Sequence, residues 1–408
     1  MSKMELEGWL SANAAQMADD LERLCNVSSG SDDLAGLRHM EELLVEYFEP
    51  LGVPCQRIPL PDFEVMDDFG VARLQSTSRA IRWDMVGAKA STRKKLLLSI
   101  HYDTVYGPES SFQGCERYQS DGEQRMRGPG VIDAKGGIVI LKWTAMAAKQ
   151  YLDLSEVGLS IVLTPDEEIG SPASIDLWRR IAQEYGFAML YEPTMADGSM
   201  VSHRKGTGTY IAIVRGRSAH SGRNFSAGRN AILHASRLAV RLDGLNGVRE
   251  GVTVNVGRIR GGDAVNVVPD LCVLRANVRV NDHSDYEWIR QQIEKIRAEM
   301  DLPSEGFRVE ISGGVHSAPK VMDASTQGWM QALERIGKDL GQSIQWNGSG
   351  GASDGNKLAQ LGLPNIDTFG PEGDLLHSDQ EWVSIASLPK KVRLGVAMIE
   401  QWACVLEK

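Results

Sequence analysis

Residues 96–103 of this 408-residue chain read LLLSIHYD, an apolar run that ends in a histidine and an aspartate. A short apolar run of this kind is typical of a strand that is buried on both faces of a sheet. His101 and Asp103 are two positions apart, so in an extended segment their side chains lie on the same side. The stretch therefore predicts a buried strand whose end provides the beginning of a metal site.

Three later segments place acidic side chains at the ends of predicted strands or at the start of a helix. They are GVIDAKGG with Asp133, SIVLTPDEEIG with Glu167 and Glu168, and AMLYEPT with Glu192. A second histidine, His377, follows far downstream in LLHSDQE. Strands that alternate with helices indicate a mainly parallel α/β sheet, in which ligands bind beyond the carboxyl ends of the strands. We therefore expect these side chains to meet at one edge of the sheet.

The composition is that of an ordinary globular protein, with 42% hydrophobic and 24% charged residues. The net charge of -10 argues against nucleic acid as the main partner. The five cysteines are odd in number and form no C-x-x-C motif, which is typical of reduced thiols in the cytoplasm. No segment approaches the roughly 18 apolar residues of a membrane-spanning helix, and the N-terminus has no signal-peptide pattern. We expect a cytoplasmic protein without a membrane partner.

The order of the predicted elements changes near residue 205. Residues 205–316 give the order strand, helix, strand, strand, helix, strand, which is the ferredoxin-like α+β plan. The α/β pattern then returns, and His377 lies in the returning part. We predict a discontinuous α/β catalytic domain formed by residues 1–204 and 317–408, with residues 205–316 as an inserted domain.

Two segments near the predicted site lack a strong pattern of their own. Residues 107–130 are rich in Gly, Ser and Glu and are predicted as one long loop, a feature that is often functional. Residues 343–346 are predicted as a strand of the returning α/β part.

Two histidines and several carboxylates suit zinc or a similar divalent ion, and one carboxylate can bridge two such ions. Asp133 is the natural candidate for the bridge. Of the adjacent residues Glu167 and Glu168, one can serve as a metal ligand and the other as a free general base. Asp103 can orient the imidazole of His101. Each segment alone has an ordinary explanation, such as a helix cap at Asp133 or a solvated acidic turn, but their joint occurrence favours the metal site.

Seven motifs occur in the order HYDTV, GPGVIDAKGG, PDEEIGS, YEPT, GRSAHSG, NVVP and HSDQE. Together they resemble the zinc-dependent aminoacylase and carboxypeptidase family, which includes glutamate carboxypeptidase, acetylornithine deacetylase, succinyl-diaminopimelate desuccinylase and dipeptidases. The resemblance extends from about residue 21 to the final helix. It implies a hydrolase with two divalent metal ions per subunit, with zinc as the first choice and cobalt or manganese as alternatives.

The resemblance implies two ligand sets that share one carboxylate: His101, Asp133 and Glu192 for one ion, and Asp133, Glu168 and His377 for the other. It makes Glu167 the general base that takes a proton from the attacking water and passes it to the leaving amine. Asp103 would hold His101.

The inserted domain resembles the family's lid and dimerisation domain, which implies a homodimer. His220 of GRSAHSG resembles a histidine that stabilises the oxyanion, often from the partner subunit. Asn266 and Arg279 resemble groups that bind the carboxylate end of the substrate, and the loop 350–354, with Gly351, resembles a loop that contacts the substrate backbone. His316 occupies a place where some glutamate-preferring relatives have a cationic residue. The resemblance therefore does not decide which amino-acid side chain of the substrate is preferred.

The function predicted in this way is cleavage of an amide bond next to a free carboxylate. The substrate is either a small peptide, as in a glutamate carboxypeptidase, or an N-acyl amino acid, as in an acetylornithine-deacetylase-like enzyme.

Two other functions compete with this prediction. GASDG, with Ser353, matches the G-x-S-x-G motif of a metal-independent serine hydrolase, in which His377 would complete a triad. Glycines between residues 348 and 351 separate the serine from its predicted strand, whereas a nucleophile elbow follows its strand directly. A non-catalytic metal-dependent binding protein would lack Glu167 or a ligand, and none of these residues is missing.

Overall fold

The computed structural model describes residues 3–86 and 95–405. Its helices are α1 Lys3–Cys25, α2 Leu34–Tyr47, α3 Lys135–Tyr151, α4 Ile175–Ile181, α5 Ala231–Asp243, α6 His283–Met300, α7 Ala324–Asp339, α8 Asp354–Gln360 and α9 Ser387–Val405. Its strands are β1 Cys55–Ile58, β2 Phe63–Met66, β3 Ala72–Gln75, β4 Ala80–Val86, β5 Lys95–His101, β6 Glu116–Ser120, β7 Glu123–Arg127, β8 Gly158–Thr164, β9 Phe187–Leu190, β10 Met200–Arg204, β11 Gly206–Arg215, β12 Ala219–His220, β13 Thr253–Gly261, β14 Val267–Val268, β15 Leu271–Val280, β16 Arg308–Ser317, β17 Trp346–Ser349, β18 Asn365–Ile366, β19 Gly373–Asp374 and β20 Trp382–Ser384. In these ranges no helix has both the length and the apolar character needed to cross a membrane.

The main sheet has six strands in the order β1-β4-β8-β5-β9-β18. Strands β8, β5, β9 and β18 run parallel, and β4 is antiparallel to β8 and to β1. Ser99 of β5 pairs with Val162 of β8 on one side and with Leu190 of β9 on the other. The predicted α/β architecture is confirmed, and the carboxyl ends of three neighbouring parallel strands lie at one edge.

Strand β5 is buried on both faces, as its continuous apolar run predicts. Leu96 and Leu98 belong to the large core that also contains residues of α1, α3 and α9. Leu97 points the other way, into a smaller core with residues of α4 and α8. Because successive strand residues alternate between faces, only an uninterrupted apolar run can satisfy both cores.

Helix α3 starts very close to the end of β9. A Cβ atom placed on Gly137 would lie 2.1 Å from the carbonyl oxygen of Tyr191. This close approach brings the residues that precede α3 next to those that follow β9.

The substitution Gly137→Ala is expected to destabilise the fold by about 3 kcal/mol, because the added methyl group forces α3 away from β9. Gly8→Ala is the matched control, since Gly8 is exposed within α1 and its Cβ would meet no atom within 4 Å. We expect the control to gain roughly 0.5–1 kcal/mol, the usual helix preference for Ala over Gly. Urea unfolding measures both free energies, and equal effects at the two positions would contradict the close-packing argument.

Residues 206–317 form a four-stranded antiparallel sheet with the order β13-β15-β11-β16. Helices α5 and α6 pack on one face and share a separate apolar core with it. Along β15, Cys272, Leu274 and Ala276 contribute to this core, so Asn277 and Arg279 point to the opposite face.

Two predictions about local structure are wrong. Residues 107–130 are not one long loop, because they contain the hairpin β6–β7, which continues through β20 and β19 as a four-stranded sheet. Its turn is Asp121-Gly122 with φ angles of 52° and 80°, and Asp-Gly is a strong hairpin signal that the sequence analysis missed. The strand predicted at 343–346 lies instead at β17, Trp346–Ser349, where it pairs in parallel with β10 outside the main sheet.

Two chain segments connect the sheets side by side. Arg204 and Lys320 exchange backbone hydrogen bonds of 3.0 Å, and the side chains of both pair with Asp367, at 2.8 and 2.9 Å. The side-chain amide of Asn356 donates hydrogen bonds to the backbone carbonyl oxygens of Lys205 and Ala318. The start of α8 is thereby attached to both connections.

Candidate active site

The main sheet places four of the predicted site residues at one edge. His101 is the last residue of β5, Glu167 and Glu168 follow β8, and Glu192 follows β9. Asp133 lies just before α3, and His377 lies in the turn between β19 and β20. Because parallel strands end together, the residues that follow β5, β8 and β9 converge although their segments are far apart in sequence.

Asp133 lies between the two histidines. Its Oδ1 atom is 3.1 Å from His101 Nε2, and its Oδ2 atom is 3.4 Å from His377 Nε2. Glu192 Oε2 lies 3.8 Å from His101 Nε2, and Glu168 Oε2 lies 3.3 Å from His377 Nε2. Ligand atoms of His101, Asp133 and Glu168 all fall within 4.8 Å of one another. One carboxylate thus faces two groups, each containing a histidine and a second carboxylate.

Asp103 holds the surroundings of His101 in place. Its Oδ1 atom is 3.2 Å from His101 Nδ1 and accepts a 3.1 Å hydrogen bond from the backbone N–H of Glu167. Its Oδ2 atom accepts from the N–H of Glu168 at 3.1 Å and from Ser31 Oγ at 2.7 Å. A single buried carboxylate therefore fixes both the imidazole and the turn that carries the two glutamates.

The site concentrates buried negative charge. Burial raises the pKa of Glu167 well above its ordinary value and that of Glu192 to about 8. Hydrogen bonds to Asp133 and Glu168 raise the pKa of His377 to about 10. The raised pKa values of the two carboxylates and of the imidazole have one cause, which is that buried negative charge is stabilised by a proton or another cation nearby.

The residues present fit a divalent metal. Glu168 Oε1 is buried and, among the described residues, has no hydrogen-bond partner. Imidazole nitrogen and carboxylate oxygen together are the donor types that zinc and similar ions accept. An unpaired buried carboxylate oxygen beside two imidazoles is accounted for by a cation at this place.

A cleft of about 420 Å³ is lined by Glu167, Glu168 and His377. Arg279 of β15 also lines this cleft. Arg279 Nη1 donates a 3.3 Å hydrogen bond to the carbonyl oxygen of Gly350, and Gly351 also lines the cleft. The volume is in the range of small-molecule sites.

Two predicted site residues lie elsewhere. His220 and Asn266 are exposed and do not line this cleft. They lie near each other, since β12 pairs with β14 and the N–H of Ser221 donates to the carbonyl oxygen of Asn266. The structure thus brings these two residues together, but not with the predicted metal residues of the same chain.

Comparison with known proteins agrees with this geometry. Residues 97–401 match the model of peptidase family M20/M25/M40. The chain belongs to this family. It is a metallohydrolase of the carboxypeptidase or deacylase type.

Several relatives of this M20/M25/M40 peptidase have assigned names. It is 25% identical over 388 residues to carboxypeptidase G2 of Pseudomonas sp. (strain RS-16), covering 93% of this chain and 87% of the relative. It is 30% identical over 259 residues to the acetylornithine deacetylase of Myxococcus xanthus, covering 60% of this chain and 64% of the relative. Human carnosine dipeptidase 1 shares the fold with a TM-score of 0.75 at 12% identity, covering 98% of this chain and 99% of that one.

The alternative serine-hydrolase site does not assemble in this chain. Ser353 is buried as the N-cap of α8, and its Oγ contacts Asp367 Oδ2 and the N–H of Gly355. Asp367 forms ion pairs with the side chains of Arg204 and Lys320. His377 instead faces Asp133 and Glu168. Within the described ranges, Ser353 therefore has no histidine partner.

Glu381 is a site residue that the sequence analysis missed, although it stands in the quoted motif HSDQE. It is fully buried and accepts hydrogen bonds from the N–H groups of Ile132 and Asp133, at 3.0 and 3.2 Å. Burial and the charge of Asp133 raise the pKa of Glu381 to about 7. The carboxylate holds the loop that presents Asp133.

The substitution Glu381→Gln is expected to weaken metal binding about 10- to 100-fold, the usual cost of losing a group that orients a ligand. Titration with zinc in a competing chelator measures the affinity. Asp379→Asn is the matched control, because Asp379 is exposed in the same turn. Equal affinities in the two variants would show that Glu381 does not support Asp133.

Proposed function

We propose that this peptidase is a di-metal hydrolase that cleaves an amide bond next to a free carboxylate. The preferred reaction is removal of the last residue of a small peptide, as in a glutamate-carboxypeptidase-type enzyme. The observation that carries the proposal is Asp133, whose two oxygens face His101 and His377. A carboxylate placed in this way suits a bridge between two ions.

We assign the two ligand sets as His101, Asp133 and Glu192 for one ion, and Asp133, Glu168 and His377 for the other. Zinc is the first choice, with cobalt or manganese as alternatives, because nitrogen and oxygen donors suit all three. When bound, such ions lower the pKa of water and polarise the substrate carbonyl.

Glu167 remains outside both ligand sets and lines the cleft. Its carboxylate takes a proton from water as the new C–O bond forms, and gives that proton to the leaving nitrogen as the C–N bond breaks. The hydrogen bond from the N–H of Glu167 to Asp103 supports this position of the base.

Arg279 is proposed to bind the free carboxylate of the substrate. Arg279 lines the same cleft as Glu167, Glu168 and His377, and planar guanidinium groups suit carboxylates. The loop 350–354, with Gly351, then lies along the substrate backbone.

We further propose that residues 205–316 form a lid through which two subunits associate. His220 and Asn266 are exposed and lie outside the cleft of their own chain, which suits residues that act on the partner's site. His220 would stabilise the oxyanion there, and Asn266 would bind the carboxylate end. Closure of the lid would exclude water from the site.

Deacylation of an N-acyl amino acid is the second candidate function. The 30% identity to an acetylornithine deacetylase favours it, and the same residues would cleave either amide. The two functions differ only in what lies on the acyl side of the bond.

The test is amine release by the zinc-loaded protein from dipeptides, acyl-glutamates and N-acetyl or N-succinyl amino acids, with and without a chelator. Release that the chelator stops supports the proposal, and the best substrates distinguish carboxypeptidase from deacylase. Release that continues unchanged with the chelator would overturn the metal mechanism.

A further inference from the structure

Tyr106, in the segment that follows β5, reaches the turn that carries His377. Its phenolic hydroxyl donates a 2.8 Å hydrogen bond to the backbone carbonyl oxygen of Ser378. Ser378 is the next residue after His377. The bond therefore joins the segment that follows His101 to the immediate neighbour of the second histidine.

The segment that carries Tyr106 is itself held in place by the N-terminal part of the chain. The N–H of Thr104 donates a 2.9 Å hydrogen bond to the carbonyl oxygen of Ser29. A Cβ atom on Gly30 would lie 2.6 Å from the Cα atom of Gly107. Backbone thus packs directly against backbone just before and just after Tyr106, so its hydroxyl extends from a fixed base.

The turn between β19 and β20 contains two residues in an unusual backbone conformation. The φ angles of Leu375 and His377 are 63° and 61°, in the left-handed region that residues with a Cβ atom rarely adopt. Such a conformation persists only where the surrounding contacts hold it. Within the turn, Ser378 Oγ donates to the carbonyl oxygen of Leu375 at 2.7 Å, and the N–H of Glu381 donates to that of Ser378 at 3.2 Å. The bond from Tyr106 adds a contact from outside the turn.

The side chain of His377 depends on this turn more than that of His101 depends on its strand. The His101 side chain is 1% exposed, and Asp103 lies 3.2 Å from its Nδ1 atom. The His377 side chain is 53% exposed, although its Nε2 atom lies 3.4 Å from Asp133 and 3.3 Å from Glu168. Packing therefore fixes the first imidazole, whereas the backbone of the turn must fix the second.

We propose that Tyr106 is a positioning residue for His377. Its hydroxyl holds the turn where the imidazole faces Asp133 and Glu168, and so raises the affinity for the ion that these three residues bind. Tyr106 acts through the turn and is not itself a ligand. The other ligand set lies at the ends of β5 and β9 and on the loop before α3, so its ion does not depend on this bond. This inference rests on the proposed function.

The test is titration of the metal-free protein with zinc in a competing chelator. Tyr106→Phe removes only the hydroxyl and keeps the ring, which packs edge to face against Phe112 with the ring centroids 5.3 Å apart. We expect the affinity for one ion to fall about 10- to 100-fold, the usual cost of losing a group that orients a ligand, and the affinity for the other to stay at the wild-type value. Tyr118→Phe, which removes the same group from half-buried Tyr118 of β6, is the matched control. Equal weakening of both ions, or of neither, would overturn the proposal.

The same substitution in a His377→Ala background separates positioning from general support of the site. If Tyr106 acts through His377, Tyr106→Phe should not change the affinity for the ion that this background retains, because coupled residues are not additive. A further loss in that background would show that Tyr106 supports the whole site and would overturn the proposal. If the wild-type protein binds fewer than two ions, the proposed di-metal function fails and this inference fails with it. If it binds two and Tyr106→Phe binds both equally well, only this inference fails.

Discussion

Replacement of Glu167 by glutamine is expected to lower kcat by at least about a thousandfold, because general acid–base groups contribute roughly 10²- to 10⁴-fold. The amide has the shape of the carboxylate but cannot take a proton from water or return it to the leaving nitrogen. Metal content should stay at the wild-type level, because Glu167 is outside both proposed ligand sets. Steady-state kinetics and metal analysis of the same preparation measure the two quantities.

Glu400→Gln is the matched control for this experiment, since Glu400 is exposed on α9. It should retain wild-type kcat. If Glu167→Gln keeps activity within tenfold of the wild type, another group acts as the base. If it instead loses metal, Glu167 is a ligand, and the roles of Glu167 and Glu168 must be exchanged.

Asp133→Asn is expected to remove both metal ions, whereas His377→Ala should remove only one. The difference follows from the geometry, in which Asp133 faces both histidines, whereas the carboxylates beside His377 in the described part of the chain are those of Asp133 and Glu168. Metal analysis after dialysis against a weak chelator gives the number of ions per chain. Turnover should fall with Asp133→Asn by at least about a thousandfold, since both the water and the carbonyl lose their activation.

Asp379→Asn serves as the control for charge removal near His377, because Asp379 is exposed in the same turn. It should retain the wild-type metal content. If Asp133→Asn binds as much metal as His377→Ala, the two variants affect the same single ion, and Asp133 is not shared.

Much of the architecture was predictable because strand burial leaves a strong pattern. The continuous apolar run of β5 is required by two cores, one on each face, and few other structures tolerate it. The hairpin β6–β7 was missed because its strands are mostly polar and half-exposed. In such strands the turn Asp121-Gly122 is the better signal.

The supporting residues were harder to predict than the residues at strand ends. Glu381 and Lys357 have no pattern that distinguishes them from solvated charges on the surface of a turn or helix. Both are buried, but Glu381 acquires its contacts from a distant segment of the chain, whereas Lys357 pairs with Asp354 three residues earlier on the same helix. The positions of His220 and Asn266 outside the cleft also depend on how the second sheet is placed.

The pattern of residues along the chain specifies which chemical groups stand at the ends of buried strands, because the apolar runs specify the strands and the polar residues that follow must leave the core. Tertiary packing sets two further features, namely that Asp133 faces two imidazoles and that Glu381 accepts hydrogen bonds from the loop that carries Asp133. These are distances between segments that are far apart in the chain, and packing of the whole fold sets them.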